Sequence, residues 1–179
     1  MPEKTAPAPD ARRPFRTSLA AQSAARIAVE TARRSGLLEA GEGLVVDPAL
    51  AEMEKALFSA MFKAVARRGE AELSPDEFAS MFHFVFARSA EAAAACWSGR
   101  PFETGTDGLF DGRTPFYADD ALREYFKSLA FPGECAQNAW DWLSASKQSD
   151  PLLALFESLK WCFRIGCHLG LVFLEKRRS

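Results

Sequence analysis

The chain has 179 residues, 48% of them hydrophobic, 12% aromatic and 26% charged, enough to bury a core without metal or disulfide staples. A formal net charge of -2 excludes bulk electrostatic attraction to nucleic acid or to an anionic membrane surface. Four scattered cysteines (Cys96, Cys135, Cys162 and Cys167) without a hydrophobic leader argue against a secreted disulfide scaffold and for reduced thiols in the cytoplasm.

Residues 1–15, with Pro2, Pro7, Pro9 and Pro14 among charges and no apolar run, read as a disordered leader; 16–179 read as one helical domain. Helix start and stop residues then recur in order, predicting about six helices. The first runs from near Thr17 to Arg34, with Leu19, Ala20, Ile27 and Ala28 as candidate buried positions, and stops at Gly36. The second opens at Asp47-Pro48 and ends at Arg67-Arg68-Gly69, burying a stripe of Leu50, Met53, Leu57, Met61 and Val65. Between them, Leu44-Val45-Val46 is at most a short extended segment.

Ser74-Pro75-Asp76-Glu77 opens the third helix, because the Ser hydroxyl and the Glu carboxylate can each satisfy an orphan backbone amide. It carries Phe78, Met81, Phe82, Val85 and Phe86, then the alanine run Ala92 to Ala95, and ends at Gly99. Asp119 or Asp120 caps a fourth helix through Leu122, Tyr125, Phe126 and Leu129, interrupted by Pro132-Gly133. A short fifth covers Glu134 to Ser146, and a sixth runs from Asp150-Pro151 to Lys176.

The sixth is long enough to span a bilayer, but Glu157, Lys160, Arg164, His168 and Glu175 interrupt it. At about 100° per residue these five share one narrow stripe, which fits a buried helix with a single edge reaching water. The expected fold is therefore an all-α, single-domain bundle with a long central loop and a buried C-terminal helix.

The chemistry-bearing residues are sparse. Cys162, Cys167 and His168 cluster on the sixth helix, yet five residues of helix turn the two thiols about 140° apart, unsuited to one metal ion. His83 and His168 have no partner set nearby in sequence, and the basic pairs Arg33-Arg34, Arg67-Arg68 and the cluster Lys176-Arg177-Arg178 fall where positive charge offsets a helix C-terminus. The expectation is no metal, no cofactor, no nucleic acid and no membrane.

Two features suggest binding. The 99–118 loop is longer than compact helical domains usually allow, and offers Phe102, Phe110 and Tyr117 as apolar contacts with Asp107, Asp111 and Arg113 as polar ones. Asp107, Asp111 and Gly112 resemble part of a calcium loop, but Leu109 and Ala118 stand where two further ligands belong. Gly166 and Gly170 make a smooth groove beside Trp161, suited to close helix packing or to a homodimer seam. The leading expectation is a non-enzymatic module that binds a protein partner or itself. Its rivals are a sensor holding an apolar small molecule among Phe and Met side chains, and a thiol or histidine enzyme built from Cys135, Cys162, Cys167 and His168.

Overall fold

A computed structural model describes residues 19–39, 44, 47–68, 73–113, 117, 119–145 and 151–178, so the expected leader and residues 45 and 46 lie outside the described residues. Six helices follow in order: α1 (Leu19–Arg34), α2 (Pro48–Arg68), α3 (Pro75–Ser98), α4 (Asp120–Lys127), α5 (Phe131–Ala145) and α6 (Pro151–Arg178), with no strand among the described residues. The fold is all-α.

The boundaries arise from local chemistry. Ser74 and Glu77 form the reciprocal capping box at the start of α3. Asp47 Oδ1 accepts the Ala49 amide at α2, and Asp119 Oδ1 accepts the Leu122 amide at α4. Gly36 and Gly99 take the left-handed conformation after α1 and α3, so that the Leu37 and Arg100 amides each reach back 2.9 Å to a carbonyl of the last turn. One expectation fails: α4 stops at Lys127 without help, and Pro132 and Gly133 lie in the first turn of α5, which begins at Phe131 instead of Glu134. Proline is tolerated there because the first amides of a helix have no intrahelical partner.

Helix α6 is the axis, touching each of the other five. Parallel to it lies α3, and the contact is close because two small-residue ridges meet. A Cβ added at Gly166 would fall 2.8 Å from the Ser89 Cβ, and one at Gly170 would fall 2.6 Å from the Ala93 Cβ. Gly166 and Gly170 are thus consumed within the chain as the floor of the α3–α6 contact, and form no surface groove. Helix α5 runs antiparallel to α3, with Phe78 against Trp140 and Phe86 against Phe131. Helix α1 is antiparallel to α5 in turn, through Asn138 donating to the Thr31 hydroxyl and Ser35 donating to Glu134.

The α1 face is thin and made of small residues. Ala24, Ala28, Thr31 and Ala32 are its buried positions, Ile27 is only partly covered, and Leu19 and Ala20 carry no described side chain. Small residues let α1 lie flat on α6. On α2, Leu50, Leu57 and Met61 are buried as expected, with Met53 and Val65 at the margin. The polar stripe of α6 is also modified: Glu157, Lys160 and Arg164 reach the surface, whereas His168 is 2% exposed inside the bundle. No helix among the described residues is long and apolar enough to cross a membrane.

Candidate functional site

Two arginines strap the 99–118 loop to the bundle. Arg88 on α3 donates from Nη2 to the Gly105 carbonyl at 3.1 Å, pairs with Glu91 one turn on, and lies 5.2 Å from the centre of the Phe84 ring. Arg123 on α4 donates to the Tyr117 carbonyl at 3.1 Å and sits 5.7 Å from the centre of that residue's own ring. Glu91 is enclosed with them. Burial raises its carboxyl above the ordinary value by more than the neighbouring Arg88 lowers it, and burial likewise pushes the Tyr117 phenol up, with Glu91 adding to the effect.

Most of the loop's apolar side chains face inward. Tyr117 is buried, Phe102 and Phe110 are packed against the core, and the Arg68 guanidinium covers the Phe110 ring at 4.5 Å. Leu109 is the deepest anchor of the turn, although the sequence marks it only as an unsuitable calcium ligand. Arg88, Glu91 and Arg123 were not singled out by sequence reasoning either. Their signal was the presence of charges on otherwise apolar helix faces. The polar candidates Asp107, Asp111 and Arg113 are exposed, and Asp111 is engaged by Arg113, with Oδ2 2.9 Å from Nε and Oδ1 accepting the Arg113 amide at 3.1 Å. Among the described residues no three His, Cys, Asp or Glu side chains converge on a point that could hold a metal ion.

Where the loop crosses α3, a cleft of about 170 Å³ opens between Gly112-Arg113 and the start of α5. Ser80, His83 and Lys127 edge it, and Phe84, Phe86 and Phe126 form its floor. Partial burial lowers the basicity of the His83 imidazole.

The thiols are placed for packing. Cys135, Cys162 and Cys167 are buried, and desolvation pushes the Cys162 and Cys167 thiols well up, away from the reactive thiolate. Cys167 donates to the Ser89 carbonyl at 3.6 Å. Cys96, half-buried, is raised by desolvation and then by Asp47. Phe and Met side chains pack the interior. Met61 and Met81 are fully enclosed, and Phe58 meets Phe156 and Phe163 edge-on at 6.3 and 6.2 Å.

One edge of the bundle keeps apolar side chains in water. Helix α2 crosses α6 antiparallel, Glu54 meeting Arg164, Phe58 meeting Phe163 and Phe62 meeting Phe156. At the Phe62 end, Phe62 is 54% exposed, with Leu153 at 44% and Leu152 close behind. The Phe62 and Phe156 rings stand 5.8 Å apart, so the two helices touch at this edge. Trp161, by contrast, is half-buried under the Arg164 guanidinium at 5.0 Å. No protein family, characterised protein or solved structure matches this chain.

Proposed function

We propose that the chain is a non-enzymatic module that works by binding protein, and that a second copy of itself is the partner that its α2–α6 edge takes. The observation that carries this reading is the exposure of Phe62, Leu152 and Leu153 on adjoining helices, whereas Phe78, Phe82, Phe84, Phe86, Phe126, Phe131 and Phe163 are buried in the core. Contiguous exposed apolar surface marks association sites in globular proteins. An apolar patch is complementary to its own image, which is what a two-fold interface requires. Charges of both signs follow the patch in sequence, Lys63 after Phe62 and the Glu157-Lys160 pair after Phe156, which leaves a two-fold interface a polar surround. Four free cysteines support a cytoplasmic setting.

Light scattering across a range of concentrations tests the reading. A dimer that dissociates on dilution, and that the pair Phe62→Ser and Leu153→Ser converts to monomer, is the expected result. A monomer at every concentration overturns it.

A second reading, a small-molecule sensor, draws its support from the cleft beneath Gly112-Arg113, where aromatic floor and polar rim coexist.

A further inference from the structure

Because α3 and α6 run parallel, both end on one side of the molecule, at Ser98 and Arg178, about 40 Å along α6 from the Leu152-Leu153 edge. Two helix C-termini side by side concentrate partial negative charge and unpaired carbonyls. The Gly99 and Arg100 amides satisfy two of those carbonyls, on Cys96 and Ala95, at 3.3 and 2.9 Å. Between the helix ends opens a cleft of about 320 Å³, its walls formed by Trp97, Arg100, Asp119, Leu174, Arg177 and Arg178.

The three arginines differ in what occupies them. Arg177 is committed, its Nη1 2.7 Å from Asp119 Oδ2 and its guanidinium 5.8 Å from the centre of the Phe173 ring. Arg100 and Arg178 have no acidic partner among the described residues. Arg178 stands 5.8 Å from the centre of the Trp97 indole, which is 41% exposed. The cleft thus presents two guanidinium groups without an acidic partner among the described residues, that of Arg178 resting beside the part-exposed Trp97 indole, with Leu174 behind it.

We propose that this cleft binds a short acidic segment of a partner protein, a carboxylate held by Arg100 and Arg178 and an adjoining apolar side chain resting on Trp97 and Leu174. The planar guanidinium fork matches a carboxylate through two parallel hydrogen bonds. Tryptophan and arginine are also the residues that most often carry binding energy at protein contacts. Asp119 already takes up Arg177, leaving few cations for a densely charged polyanion, and the chain's net charge of -2 provides no long-range pull on one, so a peptide with few carboxylates is favoured over nucleic acid. The site lies at the opposite end of α6 from the self-association edge and does not depend on it.

Fluorescence anisotropy on the full chain tests this, using a dye-labelled peptide of Asp and Glu with one Leu and one Phe, a counterpart with Lys in place of the acids, and a labelled oligothymidine. Binding of the acidic peptide is expected, weakened about tenfold or more in the pair Arg100→Gln and Arg178→Gln and again in Trp97→Ala. Both arginines are exposed, so the helical circular dichroism signal should be unchanged. Should a variant lose its fold, salt dependence on the wild-type chain decides: affinity must fall between about 0.05 and about 0.5 M salt. An unbound acidic peptide, equal affinity in the folded double variant, salt-independent binding, or binding of the oligothymidine or the Lys peptide in its place overturns the proposal.

Discussion

The guanidinium of Arg164 grips both carboxylate oxygens of Glu54, Nε donating to Oε2 at 2.8 Å and Nη2 to Oε1 at 3.0 Å, and so ties α2 to the central helix. Glu54 is the more enclosed partner, and the pair stands about two turns of α2 before the exposed Phe62. It fixes where along α6 the second helix sits, and with it the composition of the apolar edge.

Removing the cation leaves an enclosed charge. Arg164→Ala is expected to lower stability by about 2 kcal/mol, a figure reduced from the buried-pair range because the arginine is one-third exposed. Glu54→Ala leaves the better-hydrated partner behind and should cost about half as much. Urea midpoints for the two single variants and the double variant measure the coupling; strict additivity would show the pair to be energetically idle.

At the α3–α6 contact, a single methyl is too much. Gly166→Ala should destabilise by about 2 kcal/mol despite alanine's higher helix propensity, because Ser89 and Phe86 Cδ2 stand within 3 Å of the new atom. Adding Ser89→Gly should recover part of that loss, read as a rise in melting temperature over the single variant.

Arg88 joins α3 to the loop through the Gly105 carbonyl. Arg88→Ala should therefore speed limited proteolysis within residues 100–113 by about tenfold while leaving helical content unchanged. Cleavage at the wild-type rate would mean that Leu109 and Phe110 hold the loop by themselves.

Stability should fall at both extremes of pH, for separate reasons. Tyr117, Tyr125, Cys162 and Cys167 all titrate higher in the folded chain than in water, chiefly through burial. Their contribution is complete below the ordinary thiol and phenol values, and is lost as pH climbs from about 8.5 past 10 and the unfolded chain ionises first. His83 titrates lower than usual, so its contribution is present above about 6.5 and fades as pH falls and the unfolded imidazole takes up its proton. Melting temperature against pH should show both limbs, the alkaline one flattened in Tyr117→Phe and the acid one in His83→Gln.

Native alkylation should single out Cys96. The other three thiols are buried and should react only as the chain unfolds. Asp47 adds to the raised titration of Cys96, so Asp47→Asn should speed its modification while keeping a capping side chain on α2. Equal labelling of all four native cysteines would contradict the enclosed placement of Cys135, Cys162 and Cys167.

Helix limits were legible because capping acts between residues two to four apart. The pattern Ser74-Pro75-Asp76-Glu77, the Asp119 cap and the glycines at 36 and 99 carry their own geometry, and the structure places each within a residue or two of its expected position. Pro132 misled because proline stops one helix and starts another equally well, and only the early end of α4 at Lys127 decides between them.

The sequence by itself determined an all-α chain, the order of its helices and the burial of the last one, since these follow from periodicity, caps and apolar content within single segments. Only the tertiary structure decided that Gly166 and Gly170 meet Ser89 and Ala93, that His168 turns inward, that Tyr117 is enclosed with Glu91, and that Phe62 and Trp97 stay in water. A glycine, a histidine or a phenylalanine has the same local signature whether it faces a neighbouring helix or solvent. Which of these it faces depends on the angle at which α6 crosses α2 and α3, and that angle is set by contacts between residues far apart in the chain, such as Glu54 with Arg164, 110 positions away, and Gly166 with Ser89.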